Sequence, residues 1–485
     1  MRDLAESASA HDDPFVAFRA HRDGKLPCPD ALVEALAAAA LSPDPARAEA
    51  GTRALFAEVI EPLCDAFTPD GADAYRRLFA RLITIARNRP ECRALDEALR
   101  AGGIGNEAEL LRRRPRGAPL GAAERARVRR VILLSRLTLG ADVAICLPAL
   151  RRLARLFPSA TIHLIGGEGA RVLARSVPRA VHAPIAYRRT GCLADRLNAW
   201  LAVRDAARRA SAGLAESELL LVDPDSRLTQ LGLLPPVVPE RYVHFPSRSY
   251  GADGDAPLGE LVCRWLDEAL GTSGDADDGP LALPPDDAAW TRALRAGLGP
   301  RPIAAVSFGV GGNDRKRVGP AFEAQLLEWL ARRGFRVLLA RGAGAEEIAR
   351  SERLAEALRE RRIPVLHLPP GRTLEGLAAS SAPIVTWEAD VAAFFAAIAA
   401  ADVYAGYDSA GQHIAAALGV PTLSVFVECS GAKHAARWRP CGAAPVRVVR
   451  TAVPADETRV LLRSCIELLG LADERGLTDS RAPAA

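Results

Sequence analysis

The sequence predicts an α/β protein of two consecutive units, each built on a parallel sheet, behind an all-helical N-terminal region. Three observations predict this class. Helical periodicity without strand patterns fills about the first 125 residues, strand and helix patterns alternate from Val131 onward, and the alternation restarts after a polar stretch at 271–287. A chain of 485 residues is also too long for a single core, since domains average about 150 residues. We therefore expect a helical extension at 1–125, α/β domains at 126–285 and 286–475, and a flexible tail at 476–485.

The composition is that of a globular chain rather than of a nucleic-acid-binding or membrane-spanning one. Lys and Arg number 63 and Asp and Glu 59, a net charge of +4, which is not the strong basic footprint of bulk nucleic-acid binding. The longest apolar run, near 392–401, is far shorter than the ~18 residues of a membrane helix, and the N-terminus has no signal-peptide pattern. Nine scattered cysteines without a C-x-x-C pair indicate reduced thiols in a cytoplasmic chain. We favour isolated loop cysteines over a zinc site built from Cys429, Cys441 and His434.

In the N-terminal region, apolar residues recur three and four positions apart over 55–67 and 74–87, which predicts two helices. Eight arginines then lie between 111 and 130 against a single acid, Glu124. This stripe predicts a solvated connector, with contact to an anionic membrane surface or a phosphorylated glycan as the alternative. Because the pattern breaks at the stripe, we expect the helical region to be a separate module. A chain starting near Ala118 should then still fold and bind its ligand.

Continuous apolar runs predict the buried parallel strands of both units. The first unit has such runs at 131–135, 161–165 and 219–222, and the second at 303–308, 336–340, 364–368, 403–407 and 422–426. Helical patterns in the second unit lie at 321–333, 346–360 and 410–418, and a last helix spans about 456–471.

Two polar stretches follow strands of the first unit, at the edge where open parallel sheets bind ligands. The loop after 131–135 lacks the G-x-G-x-x-G of dinucleotide sites. It carries Arg136 and Thr138 before Asp142, which either caps the next helix or faces the cleft. The stretch after 219–222 has a pair of aspartates that can hold a divalent metal or form a polar wall for a hydroxyl-rich acceptor. Its polar residues are Asp223, Asp225, Arg227 and Gln230.

Two further stretches follow strands of the second unit. Gly309 lies in a glycine-rich loop that allows close backbone approach to a ligand. The loop ends at Lys316, one of only three lysines among 63 basic residues, which suggests that a compact ammonium is needed there. Contact with a phosphate and a solvated loop cation are the two interpretations of this lysine.

The stretch after 403–407 is the most informative. Asp408 and Ser409 end the strand, and a helix begins at once. The free amides and the dipole at such a helix end form an anion site suited to a diphosphate. His413, one turn into the helix, either reaches the same anion or is structural.

Together these sites resemble glycosyltransferase family 9, the ADP-heptose:lipopolysaccharide heptosyltransferases. The family's opening pattern, approximately R-L-S-S-L-G-D-V and then L-P-A-L, is similar to RLTLGADV at 136–143 and LPAL at 147–150. Its late pattern, approximately D-S-G-x-M-H-x-A-A-A-L-G-x-P, is similar to 408–421, where Ala410 and Gln412 depart from it.

Two shorter motifs extend the resemblance. Lys316 with Arg317 resembles the start of the family's K-R-W-P motif, with Val318 and Gly319 in place of Trp-Pro. The run GAGAEE at 342–347 resembles its glycine–acid turn at the nucleotide ribose. The pattern covers about 130–450 and leaves the helical extension outside.

The resemblance implies a GT-B fold, in which two Rossmann-like domains with parallel sheets face a cleft. It implies inverting, metal-independent transfer of a sugar, heptose from ADP-heptose, to a glycan or glycolipid acceptor such as the lipopolysaccharide core. No cofactor is implied, and the donor binds to the second domain and the acceptor to the first. The enzyme would work at the cytoplasmic face of the inner membrane.

The implied catalytic residues are Asp142, as the general base, and Lys316, at the leaving diphosphate. The implied donor-binding residues are Asp408, Ser409, Ala410, Gly411, His413, Glu346 and Gly309. The acceptor-binding residues are Arg136, Thr138, Asp223, Asp225, Arg227 and Gln230. Two other functions stay open: a GT-B-shaped epimerase that acts on a nucleotide sugar alone, and an inactive nucleotide-sugar sensor whose extension binds a partner.

Overall fold

The fold is taken from a computed structural model, and the structure describes residues 30–113, 115–188, 190–273, 279–342, 344–428 and 433–477. The start of the predicted extension, Cys429 of the zinc alternative, and most of the predicted tail at 476–485 lie outside the described residues. The helical extension and the two α/β units are all present.

The described part of the extension is helical. Its helices are α1 Asp30–Ala40, α2 Pro45–Ala54, α3 Glu61–Asp65, α4 Pro69–Ala86, α5 Arg93–Ala101 and α6 Glu107–Arg112, with a π-helical segment at Leu55–Ile60 between α2 and α3. Helix α4 begins where it does because Thr68 accepts a hydrogen bond from the Gly71 amide (3.1 Å) and proline takes the first helical position. This is the helix predicted at 74–87, begun one turn earlier. The helix predicted at 55–67 is divided between the π-helical segment and α3.

The first α/β domain has a parallel sheet of five described strands in the order β3-β2-β1-β4-β5. The strands are β1 Arg130–Leu134, β2 Thr161–Gly166, β3 Ala180–Pro184, β4 Leu219–Asp223 and β5 Tyr242–His244. The helices are α7 Ala122–Arg125, α8 Leu139–Ala141, α9 Leu147–Leu156, α10 Ala170–Arg175, α11 Leu193–Ala210 and α12 Leu258–Leu270, with a π-helical segment at Asp142–Cys146. The central strands were predicted because they are buried apolar runs. The edge strands were not predicted, because β3 is half exposed and β5 is only three residues long.

The second domain has a parallel sheet of seven described strands in the order β12-β11-β10-β6-β7-β9-β8. The strands are β6 Ile303–Ser307, β7 Arg336–Ala340, β8 Val365–His367, β9 Ile384–Trp387, β10 Val403–Tyr407, β11 Thr422–Val427 and β12 Val446–Thr451. The helices are α13 Pro285–Leu298, α14 Pro320–Arg332, α15 Ala345–Glu360, α16 Val391–Ala399, α17 Ala410–Ala417, α18 His434–Trp438 and α19 Glu457–Glu474. Because β10 pairs with both β6 and β11, the loops that follow these three strands meet at one edge.

The extension shares a hydrophobic core with the first α/β domain. Leu193, Leu197 and Trp200 of α11 are buried among the apolar side chains of the extension. The guanidinium carbon of Arg196, also on α11, lies 4.0 Å from the ring centroid of Phe56. This packing differs from the separate module expected from the sequence, because removing the extension would expose the apolar face of α11.

The arginine-rich connector at 111–130 is folded against the protein. Arg116 pairs with Glu124 (2.8 Å), and Arg125 and Arg130 each donate a hydrogen bond of 2.7 Å to a backbone carbonyl. These three arginines are bound within the fold, whereas Arg112 and Arg129 of the same stretch have mostly exposed side chains. Within the described ranges, we find no helix with both the length and the apolar character that crossing a bilayer requires.

Candidate active site

Helix α17 begins immediately after Asp408 and Ser409. Ser409 is its N-cap residue and has an extended backbone (φ −155°, ψ −172°), but its hydroxyl makes no capping hydrogen bond. The first amides of a helix have no intrahelical partner, and they lie at the positive end of the helix dipole. The helix that the sequence predicted after Asp408 and Ser409 is present, and an anion site at its start stays a prediction.

The first domain meets this helix end at Gly140. A Cβ built on Gly140 would lie 3.4 Å from Ala410 N and 3.5 Å from Ala410 Cα. The backbone of the first domain therefore approaches the start of α17 closely at Gly140, and a side chain at position 140 would fill the space beside the first amide of the helix.

Lys316 and Asp408, which the sequence predicted from stretches 92 residues apart, form an ion pair beside the start of α17. Lys316 Nζ lies 2.5 Å from Asp408 Oδ2, and both side chains are largely buried. Burial by itself raises the pKa of Asp408. The Lys316 ammonium and a hydrogen bond with His434 outweigh that effect and hold the pKa well below its usual range. The carboxylate is therefore ionised at physiological pH.

Two residues that the sequence did not assign to the donor site complete the surroundings of Asp408. Gln412 is fully buried, and its Nε2 donates to Asp408 Oδ1 (2.9 Å). His434 Nε2 lies 3.0 Å from Asp408 Oδ2. The zinc alternative had grouped His434 with Cys441, but the Cys441 thiol lies against Gly259 while the imidazole is directed at Asp408.

Asp142 is buried in the loop after β1, where its carboxylate accepts three hydrogen bonds. Ser135 Oγ donates to Oδ2 (2.8 Å), and the Arg136 amide (2.6 Å) and the Cys146 thiol (3.2 Å) donate to Oδ1. Burial raises the pKa of Asp142, and these hydrogen bonds counter only part of the rise. The helix-capping alternative is wrong, because Thr138 holds the N-cap position of α8.

Asp223, at the end of β4, is occupied by protein donors. Its carboxylate accepts hydrogen bonds from the Tyr242 hydroxyl (2.5 Å), the Ser226 amide (2.7 Å) and the Thr229 hydroxyl. Since the residue is fully buried, it holds the loop after β4 and does not line an acceptor wall. No cluster of three or more potential metal-ligating side chains occurs in the part of the chain that the structure describes.

Asp225 is the counter-ion of a buried basic group. It lies 3.8 Å from an Arg136 nitrogen, 3.5 Å from an Arg248 nitrogen and 3.2 Å from His244 Nε2. Burial, followed by the neighbouring Arg248, lowers the pKa of Arg136 to about 10. The predicted acceptor wall is therefore an ion cluster in which Asp225 neutralises arginines, and it is not a pair of metal ligands with Asp223.

Arg227 and Gln230 face the helical extension instead of the cleft. The guanidinium carbon of Arg227 lies 5.6 Å from the ring centroid of Phe56 and 5.4 Å from that of Tyr75. The Tyr75 hydroxyl donates to Gln230 Oε1 (3.5 Å). Their prediction as acceptor-binding residues is corrected by this packing, since residues of the extension occupy the side to which they point.

Gly309 borders a small cavity between the end of β6 and α15. Glu347 and Arg317 both line this cavity. Glu347 Oε1 accepts a hydrogen bond from the Val310 amide (3.1 Å), and a Cβ on Gly309 would meet the same carboxylate at 3.3 Å. Glu346, the predicted donor-binding acid, is exposed, so the structure directs its neighbour Glu347 to the cavity.

Of the other predicted residues of α17, His413 and Gly411 are buried in the protein, and Ser409 and Ala410 are partly exposed. Burial lowers the pKa of His413 to about 4, so its ring is neutral at pH 7 and brings no charge to an anion. A Cβ on Gly411 would overlap the Tyr404 hydroxyl, so this glycine allows α17 to pack closely on β10. Ser409 and Ala410 are half-buried at the start of the helix.

Comparison with known proteins supports the fold. No family model matches the chain, and no curated protein sequence matches it. The structure of the glycosyl transferase family 9 from Veillonella parvula is similar with a TM-score of 0.51 and 14% identity, over 71% of this chain and 98% of that one. The E. coli ADP-heptose lps heptosyltransferase II gives a TM-score of 0.48 and 16% identity over 72% and 99% of the two chains. The structure of E. coli heptosyltransferase WaaC with ADP gives a TM-score of 0.48 and 18% identity, over 71% of this chain and 99% of that one. The GT-B fold expected from the resemblance is confirmed by the first of these.

Proposed function

We propose that the chain is an inverting glycosyltransferase, a divergent relative of the family 9 enzymes. The observation that carries the proposal is the arrangement at the start of α17, where the uncapped amides, the Lys316–Asp408 pair and the bare backbone of Gly140 lie together between the two domains. Amides and an ammonium suit a diphosphate, and a carboxylate suits the hydroxyls of a sugar. The sequence resemblance supports heptose from ADP-heptose as the donor sugar, and a glycan or glycolipid like the lipopolysaccharide core as the acceptor.

In this proposal Lys316 stabilises the leaving diphosphate. Before the donor binds, its ammonium is paired with the Asp408 carboxylate. A diphosphate carries more negative charge than one carboxylate, so it draws the ammonium, and Asp408 becomes available to the sugar hydroxyls. As the bond between the anomeric carbon and the diphosphate oxygen breaks, charge builds on that oxygen beside Lys316 and the amides of α17. No metal ion is required for this step.

Asp142 is proposed as the general base. The acceptor hydroxyl attacks the anomeric carbon from the side opposite to the diphosphate, its proton passes to Asp142, and the configuration is inverted. Burial raises the pKa of Asp142, which makes it a stronger base than an exposed aspartate. Oδ2 accepts a hydrogen bond from the Ser135 hydroxyl and Oδ1 accepts two, so the acceptor hydroxyl would contact Oδ2, beside Ser135 or in its place.

The acceptor is proposed to approach from the first domain, past Arg136 and Thr138. Both belong to the loop that also carries Asp142, and Thr138 is only half-buried. A glycolipid acceptor would place the reaction at the cytoplasmic face of the inner membrane, with peripheral contact between protein and membrane.

A thermal-shift panel of ADP-, UDP-, GDP- and dTDP-sugars tests the donor. A ligand at a hundred times its Kd stabilises a protein by about 2.7 kcal/mol, which shifts the melting temperature measurably. We expect ADP-heptose to give the largest shift, and the absence of a shift with every sugar nucleotide would contradict the proposal. Product analysis with the donor alone separates an epimerase, which needs no acceptor. Donor binding without turnover across an acceptor panel would favour the sensor.

A further inference from the structure

The segment 64–67 of the helical extension contacts both α/β domains. It joins the end of α3 to α4, and Phe67 within it is buried with a left-handed backbone (φ 49°), a rare conformation for a bulky residue. The centroid of the Phe67 ring lies 5.4 Å from Cζ of Arg248, in the first domain, and 6.0 Å from Cζ of Arg437, in the second. The extension therefore reaches the place where the two domains meet.

The Asp65 carboxylate also contacts both α/β domains. Arg248 donates to Asp65 Oδ1 (3.3 Å), and His434 Nδ1 lies 3.7 Å from Asp65 Oδ2. The other nitrogen of that imidazole, Nε2, lies 3.0 Å from Asp408 Oδ2. His434 Nδ1 is buried and makes no hydrogen bond to any residue that the structure describes. One imidazole ring thus stands between a carboxylate of the extension and the carboxylate of the donor site.

We infer that Asp65 is a positioning residue of the donor site and acts on Asp408 through His434. The inference rests on the proposed function and deepens it. It gives the helical extension, which lies outside the resemblance to family 9, a part in holding the donor sugar.

The physical reason is the charge balance around Asp408 when a donor binds. Without a ligand, Lys316 and His434 both contact Oδ2, and Gln412 donates to Oδ1. Once the diphosphate draws Lys316 away, His434 becomes the remaining partner of Oδ2. A ring that carries a proton on each nitrogen points one N–H at Asp408 and the other at Asp65, so the Asp65 carboxylate favours the ring orientation in which Nε2 stays directed at Asp408. Asp408 then stays directed at the sugar hydroxyls.

The test compares Asp65→Asn with Asp73→Asn in the full-length protein, by calorimetric titration with ADP-heptose and with ADP. Asparagine keeps the size of Asp65 and an oxygen for Arg248 but removes the charge that faces His434. We expect the Kd of ADP-heptose to rise about tenfold and the Kd of ADP to stay unchanged, because ADP lacks the sugar that Asp408 holds. Asp73 is exposed on α4 and, among the residues that the structure describes, pairs along its own helix with Arg77 (2.7 Å), so its change should alter neither Kd.

The two ligands separate positioning from general stability. Equal weakening of ADP-heptose and ADP, or a drop in melting temperature that accounts for the lost affinity, would overturn the inference. If the Asp65→Asn protein does not fold, His434→Gln is measured in the same way and should weaken ADP-heptose alone. Where both variants fold, the double variant should bind ADP-heptose as weakly as His434→Gln alone. A further loss of affinity from Asp65→Asn in the double variant would count against the route through His434.

An NMR measurement on the ligand-free protein tests this inference independently of the proposed function. In histidine-selective NMR spectra, Asp65→Asn should shift the imidazole signals of His434, which the His434→Gln variant assigns. Those of the buried His413 should stay in place. If the wild-type protein binds neither ADP-heptose nor ADP, the proposed function fails, and the His434 signals alone decide whether Asp65 acts on this ring. Unshifted His434 signals would overturn the inference whatever the protein binds.

Discussion

Lys316 Nζ lies 2.5 Å from Asp408 Oδ2, so the cation and the carboxylate of the candidate donor site neutralise each other before any ligand binds. The two residues come from the loops after β6 and β10, and these strands are parallel neighbours with Ser307 opposite Gly406. Strand pairing therefore brings the side chains together across 92 residues of sequence. In the proposed function the donor separates the two side chains, so Lys316 should report on binding of the diphosphate and Asp408 on binding of the sugar.

Lys316→Ala should lower kcat by ~10²-fold or more, the scale on which one preformed donor stabilises a developing oxyanion. The ammonium is needed as charge builds on the leaving diphosphate. Steady-state kinetics with ADP-heptose and an acceptor measure the effect. Activity that EDTA abolishes and Mg²⁺ restores would contradict this role, because a metal ion would then carry the charge.

Asp408→Ala should weaken ADP-heptose and leave ADP binding at least as strong as in the wild type. The change removes the acceptor of the sugar hydroxyls, and it also removes the carboxylate that competes with a diphosphate for Lys316. Calorimetric titration with the two ligands gives both Kd values, and kcat should fall together with the affinity for ADP-heptose. An unchanged Kd of ADP-heptose would move the donor site elsewhere.

Gly140→Ala should weaken binding of both ADP-heptose and ADP, by about tenfold. The new Cβ would lie 3.4 Å from Ala410 N, where an oxygen of the diphosphate is expected, while its other contacts are of ordinary length. Alanine suits a helix better than glycine, so the fold should hold. Gly470 lies within helix α19, and an added Cβ there would meet no atom of the described residues within 4 Å, so Gly470→Ala is the matched control and should bind both ligands normally. Normal affinity in Gly140→Ala would place the diphosphate away from this helix end.

The strands and loops that carry the candidate site could be predicted because each follows from local sequence. Buried parallel strands are continuous apolar runs, so β10 was predicted at both ends and β1, β4 and β6 within one residue. Asp408, Ser409 and Lys316 could be chosen as candidates because each stands in a loop that follows such a strand. Glu347 was missed by one position, since a glycine-rich turn does not show which of two adjacent acids faces the cavity.

The remaining contacts depend on tertiary packing that no local pattern reveals. Gln412 stands where the resembled pattern has methionine, and it holds Asp408 only because α17 packs against β11, where Ser424 donates to its carbonyl (2.5 Å). Arg227 and Gln230 were assigned to an open cleft because the sequence did not show that the extension covers them. The resemblance to family 9 excluded the extension itself, so nothing in the sequence connected Asp65 to the donor site.

Removing the extension should destabilise the first α/β domain. A chain starting at Ala118 would expose Leu193, Leu197 and Trp200 of α11, which the extension now buries. Burying one such side chain is worth about 1.5–3 kcal/mol, against a total stability of about 5–15 kcal/mol for a protein of ordinary size. We expect aggregation or a broad, low-temperature melting transition in calorimetry. A soluble chain from Ala118 that melts cooperatively and binds ADP-heptose normally would restore the separate module and would also count against a role of Asp65.

Asp142→Asn distinguishes a general base from a residue that only holds the loop after β1. The amide has the same size and still offers an oxygen to the Arg136 amide, and a typical hydrogen bond is worth only about 0.5–1.5 kcal/mol, so melting temperature and ADP-heptose affinity should hold. A lost base lowers the rate by ~10²–10⁴-fold, and asparagine cannot accept the proton. Because burial raises the pKa of Asp142, the wild-type kcat should begin to fall at a pH above the usual aspartate range as the base becomes protonated. That acid limb should be absent from the residual rate of Asp142→Asn. Near-normal kcat in a well-folded Asp142→Asn protein would leave this carboxylate as a structural link between Ser135 and Arg136, and the base would have to be sought on the acceptor itself.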